Sequence, residues 1–450
     1  MRGRLRFHEL HGTWSSRVDT KIANERAQMH LENLAEPLDV IATRLGKPGA
    51  APFLARAWEK LLQNHAHDSI CGCSQDRVHD DVNTRFREVI ETGIDIADGA
   101  LDYLNNNALR DGIPTVAIYA GLNGGNRVVD FVIRLAEEPG ATACLRDAGG
   151  REYPVQFDEI LRMKVTTSDG AREYWECRGC VFIDDLAPCE VRRLEFRSEG
   201  NPVPPPHPAV AAEGGLRNGR VALRLQPNGS VEIQHGATQR TFSGLNGFVQ
   251  ETDIGGGYHF EPGPGGRRYA GSDGKVDVRE LAAGPLRASL EVSVALKVPA
   301  AFDRETGRLK GRRTLRLTSR YTLEADSDLI AIRTRFDNTA SHQRLRALFP
   351  GGMDAAKVHA DASFAVHGNS IEKWLHEKGQ NFHPMRGFVD LADDHGGFCI
   401  LTKGLHEYEI IADEAGRPGL EVTLLRGVDS TVLCSSWMTP GAQLHGQPFS

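Results

Sequence analysis

Hydrophobic residues in the N-terminal part of the chain recur at spacings of three and four, the periodicity of a helix buried on one face. Pro37 lies inside the first stripe and predicts a kink or break there, while Ser15, Ser16 or Asp19 could cap the first helix. Three stripes joined by short links predict an antiparallel three-helix bundle. The stripes contain Ala27, Leu31, Leu34, Leu38, Ile41 and Leu45, then Phe53, Leu54, Ala57, Trp58, Leu61 and Leu62, then Val78, Val82, Phe86, Val89, Ile90, Ile94, Ala97, Leu101 and Leu104.

The pattern changes after Asp111-Gly112, where short β-rich runs alternate with Gly, Pro and Asn clusters. Repeated strands without intervening helices predict antiparallel β-sandwiches. Five prolines within 201–210 predict a stiff linker. We therefore expect an α+β multidomain protein with a helical bundle over 1–110, a first β-sandwich over 111–200, the linker, and a large β-sandwich over 211–450 that is incomplete at its C-terminus.

The composition narrows the classes of function. A chain of 450 residues predicts two to three domains. The formal net charge is −7 and there is no long run of Lys or Arg, which argues against a nucleic-acid partner. No apolar stretch reaches the length of about 18 residues that a membrane span needs. Met1 to Leu10 has no apolar h-region and is not expected to be a signal peptide, although a missing upstream part could carry one. Eight cysteines are too few for a disulfide scaffold, so a cytoplasmic location is expected.

The densest candidate for chemistry lies between the second and third stripes, in the sequence QNHAHDSICGCS from Gln63 to Ser74. The His67 imidazole and the Asp68 carboxylate are groups that suit zinc. By spacing alone, another interpretation stays open: His67 would lie at a helix C-terminus, where the helix dipole favours it, and Asp68 or Ser69 would cap the next helix.

This segment resembles the signature Asn-His-x-His-Asp-Ser-Ile-Cys-Gly-Cys-Ser of bacterial α-mannosidases of glycoside hydrolase family 38. In that family the His before the Asp binds zinc and the Asp contacts the sugar. The resemblance therefore implies that His67 is a zinc ligand and that Asp68 binds substrate.

Further stretches resemble the same family in the same order. The loop GGGYHFEP, from Gly255 to Pro262, resembles one that presents a substrate-contacting tyrosine, which implies that role for Tyr258. A plain turn with a packing tyrosine is the alternative. The order of the stretches implies the family's galactose-mutarotase-like β-sandwich architecture. The other stretches are Trp14–Asn24, Asp337–Arg346, Gly404–Glu409 (with His406 in place of the usual Pro), Leu424–Arg426 and Pro440–Gln443.

The resemblance also implies a retaining glycosidase, which needs two carboxyl groups about 5 Å apart. In the family both belong to an N-terminal barrel domain, together with the remaining zinc ligands. We expect this domain to be missing from the chain, so no nucleophile or acid/base is assigned in it. Asp80 and Asp81 are interpreted as solvated residues of the third helix. The chain alone is expected to bind Zn²⁺ weakly and to hydrolyse nothing.

Neighbouring residues carry weaker expectations. His65 is a candidate partner that orients the His67 ring, although packing at a helix end explains it equally well. Cys71 and Cys73 are interpreted as small buried residues beside Gly72, since two cysteines one residue apart do not match the usual zinc spacing.

The leading hypothesis is the non-barrel part of a zinc-dependent retaining α-mannosidase acting in mannose metabolism or oligosaccharide catabolism. Its substrate would be a mannose-containing oligosaccharide or a small mannosyl glycoside. Two alternatives stay open: a non-catalytic carbohydrate-binding or structural module, and one subunit of a split enzyme completed by an N-terminal barrel chain. Homo-oligomerisation is a further possibility that the residues do not decide.

Overall fold

A helical bundle is followed by antiparallel β-sheets, which confirms the predicted fold class. Among the described residues, no helix is both long and apolar enough to cross a membrane. The computed structural model describes residues 10–106, 114–167, 170–212, 214–271, 276–372, 382–428 and 448–449.

The three stripes form three helical segments that pack together. Leu31, Leu61 and Phe86, one from each stripe, are fully buried in a shared core. The buried face is shorter than the predicted stripes, since Leu45 at the end of the first and Val78 at the start of the third are exposed. The elements are a 3-10 helix over His11–Trp14, α1 over Val18–Gln28, a π-helical segment over Met29–Ala35, α2 over Glu36–Arg44, α3 over Ala51–Asn64, α4 over His67–Ile70 and α5 over Asp76–Asn106.

Of the kink or break predicted at Pro37, the structure excludes the break. Helical structure is continuous from Val18 to Arg44, and Pro37 lies in the first turn of α2, directly after the π-helical segment. A change of hydrogen-bonding pattern at this point places the proline where a missing amide hydrogen costs least.

The first β region is a six-stranded sheet with the order β1-β6-β3-β4-β5-β2, and all its strand pairs are antiparallel. Its apolar core is separate from that of the later strands. The Pro-rich stretch 201–210 follows its last strand. The strands are β1 over Thr115–Tyr119, β2 over Gly125–Leu135, β3 over Cys144–Arg146, β4 over Glu152–Thr167, β5 over Gly170–Leu186 and β6 over Val191–Arg197.

The later strands form four antiparallel sheets around one large core. Their orders are β11-β10-β9-β8-β7, β13-β12-β18-β25-β24-β21, β14-β15-β16-β17-β26 and β20-β19-β22-β23. A 3-10 helix covers Pro264–Gly266. The strands are β7 Val210–Ala212, β8 Gly215–Arg217, β9 Val221–Leu225, β10 Val231–His235, β11 Thr241–Leu245, β12 Gly247–Thr252, β13 Arg268–Ala270, β14 Asp277–Ala283, β15 Arg287–Asp303, β16 Arg308–Glu324, β17 Ile330–Asp337, β18 Gln343–Pro350, β19 Lys357–Ala362, β20 Ala365–Ser370, β21 Phe382–Pro384, β22 Phe388–Asp393, β23 Gly396–Leu401, β24 Glu407–Ala412, β25 Pro418–Gly427 and β26 Pro448–Phe449.

The segment before α1 joins the helical bundle to the six-stranded sheet that contains β25. Ser16 forms an isolated parallel bridge with Arg426. The Ser15 hydroxyl donates a hydrogen bond of 2.7 Å to Oε2 of Glu407, so it does not cap α1. Arg17 precedes α1 instead, in a left-handed conformation with φ of 48° and without a side-chain cap. These contacts hold the segment before α1 against β24 and β25.

Candidate functional site

The chain makes a compact turn between α3 and α5, in which His67 and Asp68 begin the one-turn helix α4. The Cys71 amide donates to the His67 carbonyl at 2.9 Å, and the Cys73 amide donates to the Asp68 carbonyl at 3.2 Å. Ala66 precedes α4 and no side chain caps it, so Asp68 and Ser69 lie inside the turn rather than at its cap. The capping interpretation therefore does not describe these two residues.

The side chains of His67 and Asp68 point into solvent, 90% and 64% exposed. Nε2 of His67 lies 3.4 Å from Oδ1 of Asp68. No group of three or more His, Cys, Asp or Glu side chains able to hold a metal occurs within the described residues. Since a catalytic zinc takes about three protein ligands, the described part of the chain does not fit zinc by itself. His67 is exposed on the surface with the Asp68 carboxylate beside it.

His65 lies at the end of α3 and has a partner on a different helix. Its Nε2 hydrogen-bonds Oδ1 of Asn24, on α1, at 2.8 Å. Burial lowers the pKa of His65, which favours its neutral form. The ring thus ties α3 to α1, and its proposed orientation of His67 stays a prediction.

Cys71 and Cys73 are half-buried free thiols, more exposed than predicted. Their side chains interact: the hydrogen bond with Cys73 is the main cause that lowers the pKa of Cys71 to about 6, and the same contact raises that of Cys73. Lys21 is buried beside them, and burial lowers its pKa to about 8. Its ammonium donates to the Ser16 carbonyl. Lys21, Cys71 and Cys73 therefore form a polar cluster beneath the turn.

Tyr258 reaches this cluster from the loop after β12. Its side chain is a neighbour of the Cys73 thiol. Burial is the first cause that raises the pKa of Tyr258, and the Cys73 and Asp68 side chains raise it further. The structure therefore brings the Tyr258 side chain within electrostatic range of Asp68, and Oδ1 of Asp68 lies 3.4 Å from Nε2 of His67. Tyr258 belongs to the β region, and the other two residues belong to the helical bundle.

Several residues that hold this arrangement were not predicted as site residues. Arg426 had been noted only as part of a resembling stretch, and Gly12 gave no signal at all. Gly12 donates its amide to the Tyr258 carbonyl at 2.8 Å, and its own carbonyl accepts from Nη1 of Arg426 at 2.9 Å. Asp80 and Asp81 are exposed on α5, and the resembling stretch Pro440–Gln443 lies outside the described residues.

Comparison with known proteins shows which family the chain resembles. Residues 8–104 match the alpha mannosidase middle domain, and residues 216–430 match the glycosyl hydrolases family 38 C-terminal domain. The putative mannosylglycerate hydrolase of Halalkalibacterium halodurans is 30% identical over 97% of this chain and 53% of its own length.

Two solved structures from Enterococcus faecalis share the fold. A protein in glycosyl hydrolase family 38 has a TM-score of 0.85 and 24% identity, covering 98% of this chain and 56% of its own. An alpha-mannosidase of strain V583 has a TM-score of 0.83 and 25% identity, covering 98% and 54%. The chain thus spans about half the length of these relatives. The two matched regions together cover more than half of the chain, which belongs to glycosyl hydrolase family 38 and carries its middle and C-terminal domains.

Proposed function

We propose that this chain forms the helical and β-sheet part of a zinc-dependent, retaining α-mannosidase. The observation that carries the proposal is that the half-buried Tyr258, from the β region, lies near Asp68 and that Asp68 adjoins the exposed His67. An imidazole that is 90% exposed is free to bind a ligand presented by another domain. The relatives are about twice as long as this chain, and the carboxyl groups that catalyse hydrolysis would lie on a domain outside these 450 residues.

Zn²⁺ is part of this proposal, with His67 as one ligand and the other ligands outside the chain. Bound zinc would act as a Lewis acid toward sugar hydroxyls. Asp68 would accept hydrogen bonds from the sugar and the Tyr258 hydroxyl would donate to it. Both side chains stay on the surface that a neighbouring domain or substrate can reach.

Zinc content tests the role of His67 without any activity measurement. This chain is fused to the part of the H. halodurans relative that it does not match, and the fusion protein is purified. We expect about one zinc per complete protein, and a loss of at least tenfold in zinc affinity for His67→Ala. His367→Ala, which removes an exposed histidine of β20, is the control and should keep its zinc. Equal zinc affinity in the two variants would exclude His67 as a ligand.

Hydrolysis of an aryl α-mannoside tests the wider proposal. The chain alone should show no turnover, whereas the completed enzyme should be active. The relative's name makes a small mannosyl glycoside a natural first substrate, to be compared with α-mannobiose. An upstream coding sequence with an Asp-x-His motif would favour an enzyme half or a split enzyme. If the completed protein binds mannosides without hydrolysing them, the chain is a non-catalytic module.

A further inference from the structure

Arg426, near the end of β25, has a fully buried guanidinium in the same sheet as β12. It pairs with the equally buried carboxylate of Asp253: Nε lies 2.8 Å and Nη2 lies 2.7 Å from Oδ2. A buried charge is tolerated only when a counter-charge and hydrogen bonds replace water. The guanidinium of Arg426 meets both conditions at this position.

The remaining hydrogen bonds of Arg426 go to three backbone carbonyls around Tyr258. Nη2 donates to the Gly256 carbonyl at 2.8 Å and to the His259 carbonyl at 3.1 Å. Nη1 donates to the Gly12 carbonyl at 2.9 Å. One rigid side chain thus holds the backbone on both sides of Tyr258 and the segment that leads into the helical bundle.

Asp253 also binds the backbone of the Tyr258 loop directly. Its Oδ1 accepts the amides of Gly255 at 3.0 Å and Glu261 at 3.2 Å, which lie at the two ends of the loop. The Gly12 amide then fixes the Tyr258 carbonyl itself. The backbone of the loop is therefore tied at several points, while the ring of Tyr258 stays half-buried beside Cys73.

Only arginine can make this set of contacts. Its planar fork reaches a carboxylate and several carbonyls at once, whereas a lysine ammonium has three donors at a single point. We propose that Arg426 and Asp253 form a positioning pair that holds the Tyr258 loop beside Asp68 and His67. Neither member of the pair touches substrate. This role rests on the proposed function of Tyr258.

Amide hydrogen exchange of the 450-residue chain tests the positioning without substrate. In Arg426→Lys we expect exchange of residues 254–262 to accelerate at least tenfold, while the bundle core around Phe86 keeps its protection. Asp253→Asn, which keeps an oxygen for the two amides but removes the charge, should give a smaller increase at the same residues. Unchanged exchange of 254–262 in both variants would overturn the proposal.

A matched control separates the loop from a general weakening of the sheets. Arg240 also pairs with an aspartate, Asp393, with Nη2 2.6 Å from Oδ2, and donates to the Gly396 carbonyl at 2.7 Å. These partners lie at the turn between β22 and β23. Arg240→Lys should leave exchange of 254–262 unchanged. Equal acceleration there in Arg240→Lys and Arg426→Lys would mean that Arg426 has only a general structural role.

A double-mutant cycle in the completed enzyme shows whether Arg426 acts through Tyr258. A displacement of about 1 Å can cost about 100-fold in rate, so Arg426→Lys and Tyr258→Phe should each lower kcat by about 10- to 100-fold. The double variant should be within about threefold of the weaker single variant. Multiplicative losses would overturn the positioning role. If the unmodified completed enzyme hydrolyses nothing, the proposed function fails, and the exchange experiment still decides the structural claim.

Discussion

The Gly12 amide donates a hydrogen bond of 2.8 Å to the carbonyl oxygen of Tyr258. This single bond joins the segment before the helical bundle to the loop that presents the candidate substrate-binding tyrosine. The two backbones approach so closely that only a residue without a side chain fits. The position of Tyr258 is thus fixed partly by a glycine near the N-terminus.

Gly12→Ala should destabilise the protein. The added Cβ would lie 2.3 Å from Nη1 of Arg426 and 2.7 Å from the Gly257 carbonyl oxygen. We expect the free energy of unfolding to fall by about 1–3 kcal/mol, measured by urea denaturation. Gly99→Ala in α5 is the control: among the described atoms, nothing lies within 4 Å of its added Cβ. That change should stabilise by about 0.5–1 kcal/mol, and equal effects of both substitutions would contradict the close approach.

Gly72→Ala should also destabilise the protein, for two combined reasons. Gly72 has φ of +78°, and its Cβ would lie 3.1 Å from the Ser16 carbonyl oxygen. Gly416 has a matching φ of +79° and open space around its Cβ among the described atoms. Gly416→Ala should cost about 1–2 kcal/mol for the left-handed backbone alone, and Gly72→Ala should cost more. Equal losses of stability in thermal or urea denaturation would show that the Ser16 carbonyl moves aside at no energetic cost.

Arg346→Met should be among the most destabilising single changes. Arg346 is 2% exposed and pairs with Glu421 at 2.5 Å and Glu251 at 2.6 Å, as well as with Glu409. Its loss leaves Arg268 as the remaining described counter-charge of the fully buried Glu421, at a cost of about 3 kcal/mol. The exposed pair Arg162–Glu173, at 2.6 Å, is the control. Arg162→Met should cost less than about 1 kcal/mol, and a similar loss for both would refute the importance of burial.

His79 should make the protein less stable in mild acid. Its ring is buried, with no hydrogen-bond partner for either nitrogen among the described residues. Burial, then Arg17 and Lys21, lower its pKa from 6.5 to about 4, and Asp76 opposes them only in part. Between these pH values the unfolded chain binds a proton that the folded chain does not. The contribution of His79 is therefore present above pH 6.5 and is lost as the pH falls toward 4.

The measurement is urea denaturation from pH 7 to pH 4 for the wild type and for His79→Leu. The stability of the wild type relative to the variant should fall by up to about 1.4 kcal/mol per pH unit across this window. Parallel pH dependences would show that His79 does not titrate as described.

The sequence alone determined the helical bundle and the change to β structure, because both follow from short-range periodicity. Leu31, Leu61 and Phe86 occupy the buried face that their spacing predicts. The segment around His67 and Asp68 was found by its local motif. Local rules did not reveal the π-helical segment that precedes Pro37 inside continuous helical structure. They failed at Ser15, a suitable cap that bonds Glu407 instead.

Only the tertiary structure decided how the candidate site is assembled. Ser15 and Glu407 are 392 positions apart, and Arg426 and Gly12 are 414 apart. Hydrogen bonds over such distances leave no periodic trace in the sequence, since neither partner's neighbours have to change with it. Burial also arises only from packing. Packing places the Asp253 carboxylate beside the buried guanidinium of Arg426, and burial lowers the pKa of Lys21. The sequence therefore named the chemical groups, and the folded structure decided which of them meet.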